Sequence, residues 1–407
     1  MREIRPTLFL LWGGVAFVLL IGAVNVTNLM MVRSSGRMKE LATRHALGAG
    51  IGTLARQLLT ETLILTMVAG ALGLLLGWIG LRTLGTFGFE QTPQGTAVTL
   101  NLRVVAFTIA LVAAVGFLIA LAPVFGVRRL NLSQAFREEG RSGTASRGSR
   151  TLRRVLVAAQ VAFAFMLLAG AGLMLASFQR ILAIQPGFDP DHVLTGAVTP
   201  PASRYKDDPQ LVAFADRLLA KVRALPGIEA AGITSNIPLG NNFNDSVIRR
   251  EVTSLDPELP FYGVRAMQAR VDQSLTSRRT PMLLGALFAA IAVFLACVGI
   301  YAVLAYQVAQ RRREIGIRLA LGSEPRRIFQ LVLREGLLLL TVGLTVGFAG
   351  AVAIRRALET QLFGVRPLDP LVLLLVTTTL IAVAAIACGV PARRAAKIDP
   401  LIALTDQ

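Results

Sequence analysis

The sequence predicts an α-helical integral membrane protein, with seven transmembrane helices and a small α+β domain between the fourth and the fifth. Three observations carry this. Of 407 residues, 54% are hydrophobic and only 16% are charged, where a soluble globular chain has about a quarter charged. Mean hydropathy is +0.61. Seven stretches are apolar over the roughly 20 residues that a helix needs to cross ~30 Å of hydrocarbon. They are about Leu8–Val32, Thr62–Leu81, Val104–Val127, Val155–Ser177, Met282–Tyr306, Gly336–Ile354 and Leu371–Ala392, and none holds Asp, Glu, Lys, Arg or His.

The first stretch is longer than a signal-peptide apolar region and lacks a small-x-small cleavage site before the basic segment, so it reads as a retained span. Orientation follows from Lys and Arg in the short connections. Residues 32–57 carry five, 127–154 eight, 307–334 seven and 392–407 three. On the other side, residues 1–7 carry two, 83–103 one and 355–370 three. The richer set is expected in the cytoplasm. That places the N-terminus outside, the C-terminus inside, and the long segment 178–281 outside. This segment has twelve basic and eleven acidic residues, the balance of a soluble piece.

The net charge of +18 does not point to nucleic acid, because the bases are spread between apolar runs and no recognition motif accompanies them. Cys297 and Cys388 each sit inside an apolar run, too few and too deep for a disulfide framework or a zinc site. His45 and His192 are isolated, and His45 is expected in a loop or interface.

The second half repeats the first. Arg37-Met-Lys-Glu-Leu-Ala-Thr-Arg-His-Ala-Leu-Gly48 aligns with Arg311-Arg-Arg-Glu-Ile-Gly-Ile-Arg-Leu-Ala-Leu-Gly322 at an offset of 274. At the same offset Glu61 meets Glu335, each opening the next span. Ala69, Gly73 and Gly77 meet Gly343, Gly347 and Ala351. Small-xxx-small spacing lets helices approach closely in lipid, so Gly73, Gly77, Gly343 and Gly347 are candidate packing positions. Pro123-Val-Phe-Gly-Val-Arg-Arg-Leu-Asn131 matches Pro391-Ala-Arg-Arg-Ala-Ala-Lys-Ile-Asp399 at an offset of 268. Both units run in the same direction. The expected organisation is a three-span unit over 1–136, a Gly/Ser/Arg-rich cytoplasmic linker over 137–154, and a leading span over 155–177. An outer domain over 178–281 and a second three-span unit over 282–407 follow. Arginines of the linker are candidates for lipid headgroup contact.

In the outer segment Val193–Val198 reads as a strand. Asp208–Leu225 reads as an amphipathic helix with Leu211, Phe214, Leu218, Leu219 and Val222 on one stripe. Ile228–Thr234 and Pro260–Val264 read as further strands, and Ala266–Leu275 as a helix leading to the membrane. Asn241–Asp245 is a polar turn. No nucleophile triad, carboxylate pair or phosphate loop occurs there.

Val308-Ala-Gln-Arg-Arg-Arg-Glu-Ile-Gly-Ile-Arg-Leu-Ala-Leu-Gly-Ser323 resembles the cytoplasmic signature of FtsX-like ABC transporter permeases, the group that includes MacB-type macrolide exporters and lipoprotein-release permeases. Pro391–Leu404 is similar to that family's closing motif. The two tandem units resemble the duplicated, acidobacterial-type permeases, and the outer segment a shortened MacB-like periplasmic core domain. Set against that pattern, the chain is short of a first leading span and first outer domain. It is expected to be a natural short form or part of a longer eight-span protein.

The resemblance implies a multi-pass inner-membrane subunit for efflux, with antibiotic or macrolide export as the family's theme. The ATPase-coupling loops would be Arg37, Glu40, Arg44 and Gly48 in the first unit. In the second they would be Arg311, Arg313, Glu314, Gly316, Arg318, Gly322, Arg326 and Arg327. A short coupling helix is expected after each glycine, from Arg44 to Arg56 and from Arg318 to Arg334. The bland alternative is that these arginines only anchor helices at the inner leaflet. The chain has no Gly-x-x-x-x-Gly-Lys-Ser/Thr loop to cradle phosphates. It is therefore expected to bind no cofactor and to be no enzyme itself, with ATP acting through a separate ABC ATPase subunit. Lipids, a periplasmic partner and a second copy of the chain complete the expected partners. The rivals are a non-transporting scaffold that works a periplasmic partner, a secondary transporter, and a seven-helix receptor. A secondary transporter usually needs ionisable groups near the midplane. The receptor is opposed by the parallel repeat.

Overall fold

In hydrocarbon every backbone N–H and C=O must pair within its own segment, so apolar spans become helices. The computed structural model describes residues 4–86, 101–128, 147–184, 189, 191–198, 207–234, 261–359 and 362–397. In order these form α1 (Ile4–Gly36), α2 (Met38–Ala46), α3 (Ile51–Thr86), α4 (Leu102–Arg128), α5 (Arg147–Leu182), β1 (Leu194–Val198), α6 (Asp208–Arg223), β2 (Phe261–Ala266), α7 (Met267–Gln310), α8 (Arg312–Ala320), α9 (Pro325–Glu359) and α10 (Pro370–Ala396). Seven of these helices, α1, α3, α4, α5, α7, α9 and α10, are long and apolar enough to cross a membrane. They contain all seven expected stretches.

The chain divides into two compact units, one of Met1–Arg180 with Pro281–Gln407, the other Ile181–Thr280. In the first, α5 lies at the centre, with Val157, Val161, Ala164, Phe165 and Leu173 all buried. Glycines on α9 let it come close. A Cβ on Gly343 would stand 2.5 Å from Val161 Cβ and 2.9 Å from the Ala158 carbonyl oxygen, and one on Gly347 would stand 2.9 Å from Phe165 Cβ and 3.0 Å from the Ala162 oxygen. The matching Gly73 and Gly77 on α3 have nothing within 4 Å of a Cβ. The stripe written twice in the sequence is packed in one unit and open in the other.

A polar seam ties α5 to α1 and α1 to α7. Gln160 Nε2 donates to the Ile21 carbonyl at 3.2 Å, and Asn25 Nδ2 donates to the Leu295 carbonyl at 2.8 Å. Ile21 and Leu295 are 274 residues apart, so the first spans of the two units offer equivalent carbonyls. Both amide side chains come against Gly299, where a Cβ would collide with them. Lower on α5, Arg153 Nη2 donates to the Met31 carbonyl at 3.2 Å, and its guanidinium stands 4.3 Å over the Tyr306 ring. Sequence composition put residues 147–154 in the linker. Helix α5 instead begins at Arg147, and the cross-helix contacts of Arg153 hold that turn against α1 and α7. Residues 137–146 lie outside the described residues.

The unit Ile181–Thr280 has, among its described residues, a two-stranded antiparallel ribbon and α6. Leu194 pairs with Ala266 and Val198 with Phe261, with an irregularity between Thr195 and Ala197. Arg270 Nε donates to Thr195 Oγ1 at 2.6 Å, stitching the start of α7 to β1. Helix α6 buries Phe214 and Leu218 of the expected stripe, while Leu211 is exposed. Ile228–Thr234 is not a strand. Its centre is Ala230-Ala231-Gly232, a poor fit to a pleated, half-buried surface, and Arg223 Nη2 bonds the Ala231 carbonyl at 2.8 Å. The Asn241–Asp245 turn and Pro260 lie outside the described residues.

The asymmetry of the glycine stripes is testable. Gly347→Leu should overpack the α5–α9 contact and cost about 1–3 kcal/mol. Gly73→Leu should change stability by less than about 0.5 kcal/mol. Thermal unfolding in nanodiscs that ranks the two the other way would contradict this packing.

Candidate functional site

The basic segments between spans form two elbows, built alike at an offset of 274. In each, a long helix ends, a nine-residue helix follows (α2 or α8), and a glycine turn starts the next long helix. The inner faces match position for position. Leu41, Ala42, Leu54 and Leu58 are buried in the first elbow, and Ile315, Gly316, Ile328 and Val332 in the second.

The turns match bond for bond. Gly48 N–H donates to the His45 carbonyl at 3.0 Å and Ala49 N–H to the Arg44 carbonyl at 2.9 Å. Gly322 N–H donates to Leu319 at 3.0 Å and Ser323 N–H to Arg318 at 2.9 Å. This is a Schellman closure, which needs a left-handed residue after the cap. Gly48 at φ +101° and Gly322 at φ +89° supply it without steric cost. The short helix expected after each glycine therefore lies before it. The residues after the glycine already belong to α3 and α9, because Ile51 and Pro325 open them within three residues.

One ion pair clamps each elbow. Arg37 Nη1 donates to both Glu61 oxygens, at 3.1 and 3.0 Å, and Arg311 Nη1 donates to Glu335 Oε1 at 2.9 Å. Each arginine follows one span helix, and each glutamate sits in the early turns of the next. The pair thus closes the corner as a triangle with the short helix as its third side. Arg37 Nε also reaches Glu40 at 3.1 Å. That bond chiefly raises the Arg37 pKa and holds the Glu40 carboxyl below its usual range. Along the short helices Arg44 pairs with Glu40, and Arg318 with Glu314, both at 2.6 Å. The first elbow adds Gln57, which bonds Arg44 and Glu61 at 3.2 Å each. The second instead has Arg154 of α5, 3.8 Å from Glu335.

The structure therefore gathers Arg37, Glu40, Arg44 and Gly48 in one elbow, and Arg311, Glu314, Gly316, Arg318 and Gly322 in the other. Arg313, Arg326 and Arg327 are exposed on the second elbow. Gly73, Gly77, Gly343 and Gly347 lie in the spans and take no part. A shallow open cleft at the second elbow is walled by Leu304, Val308, Arg311, Glu314, Arg318 and Glu335. Among the described residues no group of His, Cys, Asp or Glu could hold a metal. Sequence reasoning marked Glu61 and Glu335 as duplicated without assigning them a partner. The signal was present, since Arg and Glu stand 24 residues apart in both units.

The profile of the FtsX-like permease C-terminal family matches residues 12–132 and again 286–400. The chain belongs to the FtsX-like permease family. The two matches start 274 residues apart and end 268 apart, the same offsets that relate the elbows and the closing segments. Among curated proteins, the macrolide export ATP-binding/permease protein MacB of Azoarcus sp. is 30% identical over 151 residues, 36% of this chain and 22% of the relative. The pyoverdine export ATP-binding/permease protein PvdT of Pseudomonas putida is 33% identical over 149 residues, 34% of this chain and 20% of the relative. MacB of Bartonella henselae is 27% identical over 191 residues, 46% of this chain and 28% of the relative. The chain thus spans about a fifth to a quarter of the length of these relatives.

Breaking the clamp should loosen the elbow more than the bundle. A partly exposed ion pair contributes about 1 kcal/mol or less. Arg37→Ala or Glu61→Gln should thus speed hydrogen exchange in residues 38–46 and leave the melting temperature nearly unchanged. The swapped pair Arg37→Glu with Glu61→Arg should recover part of the protection. Unchanged exchange in the single variants would show that the clamp does not hold the corner.

Proposed function

We propose that this chain is the transmembrane permease subunit of an ABC-type export or mechanotransmission complex. A separate ATPase would work on the two elbows from the cytoplasmic side. One observation carries the reading: the duplicated elbow, rigid, basic on its outer surface and set between two spans, in a chain matched twice by a permease profile. Arginine suits such a surface because it stays charged and pairs bidentately with carboxylates. Counting the crossings puts residues 33–56 and 307–334 on one side, and these connections are rich in Lys and Arg. The positive-inside rule makes that side cytoplasmic. The N-terminus and the Ile181–Thr280 unit are then periplasmic.

In this mechanism closure of the ATPase moves α2 and α8. The clamps pass the movement to the adjoining spans, and the periplasmic unit responds. The work is either expulsion of a substrate, as the macrolide and pyoverdine export names of the relatives suggest, or action on a periplasmic partner.

The test is reconstitution in nanodiscs with the ATP-binding region of the Azoarcus relative as a separate protein. ATP turnover should rise several-fold on adding the chain. Arg326→Glu with Arg327→Glu should abolish that rise while leaving the unstimulated turnover intact. A cysteine placed at Ser323, in a background lacking Cys297 and Cys388, should react only with reagent on the cytoplasmic side of intact cells. Reaction from outside would invert the topology and remove the proposal.

A further inference from the structure

Ile21, Asn25, Asn28 and Met31 of α1 are all buried, and their spacing puts them on one helix face. Two of the four are asparagines within a span, where lipid offers an amide no partner. The Nδ2 of Asn25 is taken by the Leu295 carbonyl. Asn28 is 1% exposed, and neither its Nδ2 nor its Oδ1 has a hydrogen-bond partner among the described residues. Gln160 of α5 is fully buried. Its Nε2 is taken by the Ile21 carbonyl, and its Oε1 has no partner among the described residues. A buried polar group left unpaired is costly, so each such group calls for an explanation.

These amides gather at one level of the bundle. A Cβ on Gly299 would collide with Gln160 Oε1 and stand 2.8 Å from Asn25 Oδ1, so both amide oxygens face the same point of α7. Asn28 follows Asn25 by three residues, about 4.5 Å along α1. At the offset of 274 the two asparagines match Gly299 and Ala302. Helix α1 thus carries the amides, and α7 carries the small residues that leave room beside them. The group lacks donors for Gln160 Oε1 and Asn28 Oδ1, and an acceptor for Asn28 Nδ2. A molecule that both donates and accepts would supply what is missing.

We propose that Asn28 and Gln160 form a binding site for ordered water inside the bundle, bordered by Asn25 and Gly299. Buried waters take this role in folded proteins, typically making about three hydrogen bonds to groups that otherwise lack partners. A cation fits the site less well. Arg153 lies on the same helix as Gln160, seven residues earlier, roughly 10 Å along the axis, and bonds the same α1. Its charge repels a second cation strongly where the dielectric is low. An apolar occupant would leave the amides unpaired. Water also makes the contact of α1, α5 and α7 deformable, because it can change partners as helices shift while a direct bond must break. The site is independent of what docks at the elbows.

The experiment is proton-detected solid-state NMR on the full chain in perdeuterated lipid, with Asn and Gln side chains labelled with nitrogen-15. The Asn28 and Gln160 amide protons should both give cross-peaks to water, although they lie within spans. Asn28→Leu should remove the water cross-peak of Gln160, and Asn28→Ser, which can still bond a water, should keep it. The melting temperatures of Asn28→Leu, Gln160→Leu and the double variant should be non-additive, as expected of groups that share a ligand. If Asn28→Leu does not fold, the cross-peaks of the unaltered chain and of Asn28→Ser decide. No water contact at the Asn28 amide of the folded chain would overturn the proposal. So would a Gln160 cross-peak unchanged in Asn28→Leu, which would show that the two amides share nothing. Amide signals that shift when sodium is exchanged for choline would put an ion in the site, and would equally overturn it.

Discussion

Lipid gives helices no hydrophobic reason to associate, since acyl chains are as apolar as leucine. What holds this bundle together must be close packing and hydrogen bonds between helices, and both converge on α5. Gly343 and Gly347 bring its backbone to van der Waals distance of α9, and Gln160 and Arg153 bond carbonyls of α1. Asn25 continues the contact from α1 to α7. With α5 in place, the first spans of the two units are referenced to one another. Of these three bonds, only that from Asn25 to the Leu295 carbonyl joins the two first spans without α5.

The duplication is therefore not expressed evenly. The elbows have kept matching buried positions, caps and clamps in both copies. The spans have not, for the glycine stripe serves α9 and idles on α3. The elbow is a local object, made by a dozen consecutive residues and one glutamate a few turns on. Helix packing depends on which neighbour is present, and α5 offers the face that suits α9. A local motif can survive duplication intact while a tertiary one changes with its surroundings.

The same distinction explains what could be read from the chain alone. Span number and the repeat were legible because each rests on composition or register. The ribbon strands and α6 were visible through short-range periodicity. The early start of α5 was not, because Arg147-Gly-Ser-Arg-Thr reads as a loop until Arg153 finds Met31 and Tyr306. The position of the short elbow helix was misplaced by one glycine, since α-helix propensity continues on both sides and only the positive φ decides the break. The partners of Glu61 and Glu335 are properties of a folded corner. Pattern could mark such residues as duplicated without saying what they touch.

A mechanical role for the elbows makes a demand on the helices that leave them. Force applied at α8 can travel only along elements stiff enough to carry it. Within the membrane unit helix α7 runs without a break from Pro281 to Gln310, which at 1.5 Å per residue is roughly 45 Å of rod. Its one weak point is Pro281, which removes a backbone hydrogen bond in mid-helix. Pro281 is also the residue at which the chain re-enters the membrane unit. The turns before Pro281 are stitched to β1 through Arg270, within the other unit. In the proposed mechanism the elbow clamp is stiff so that movement is not lost at the corner. The proline weakens the rod at the border with the Ile181–Thr280 unit.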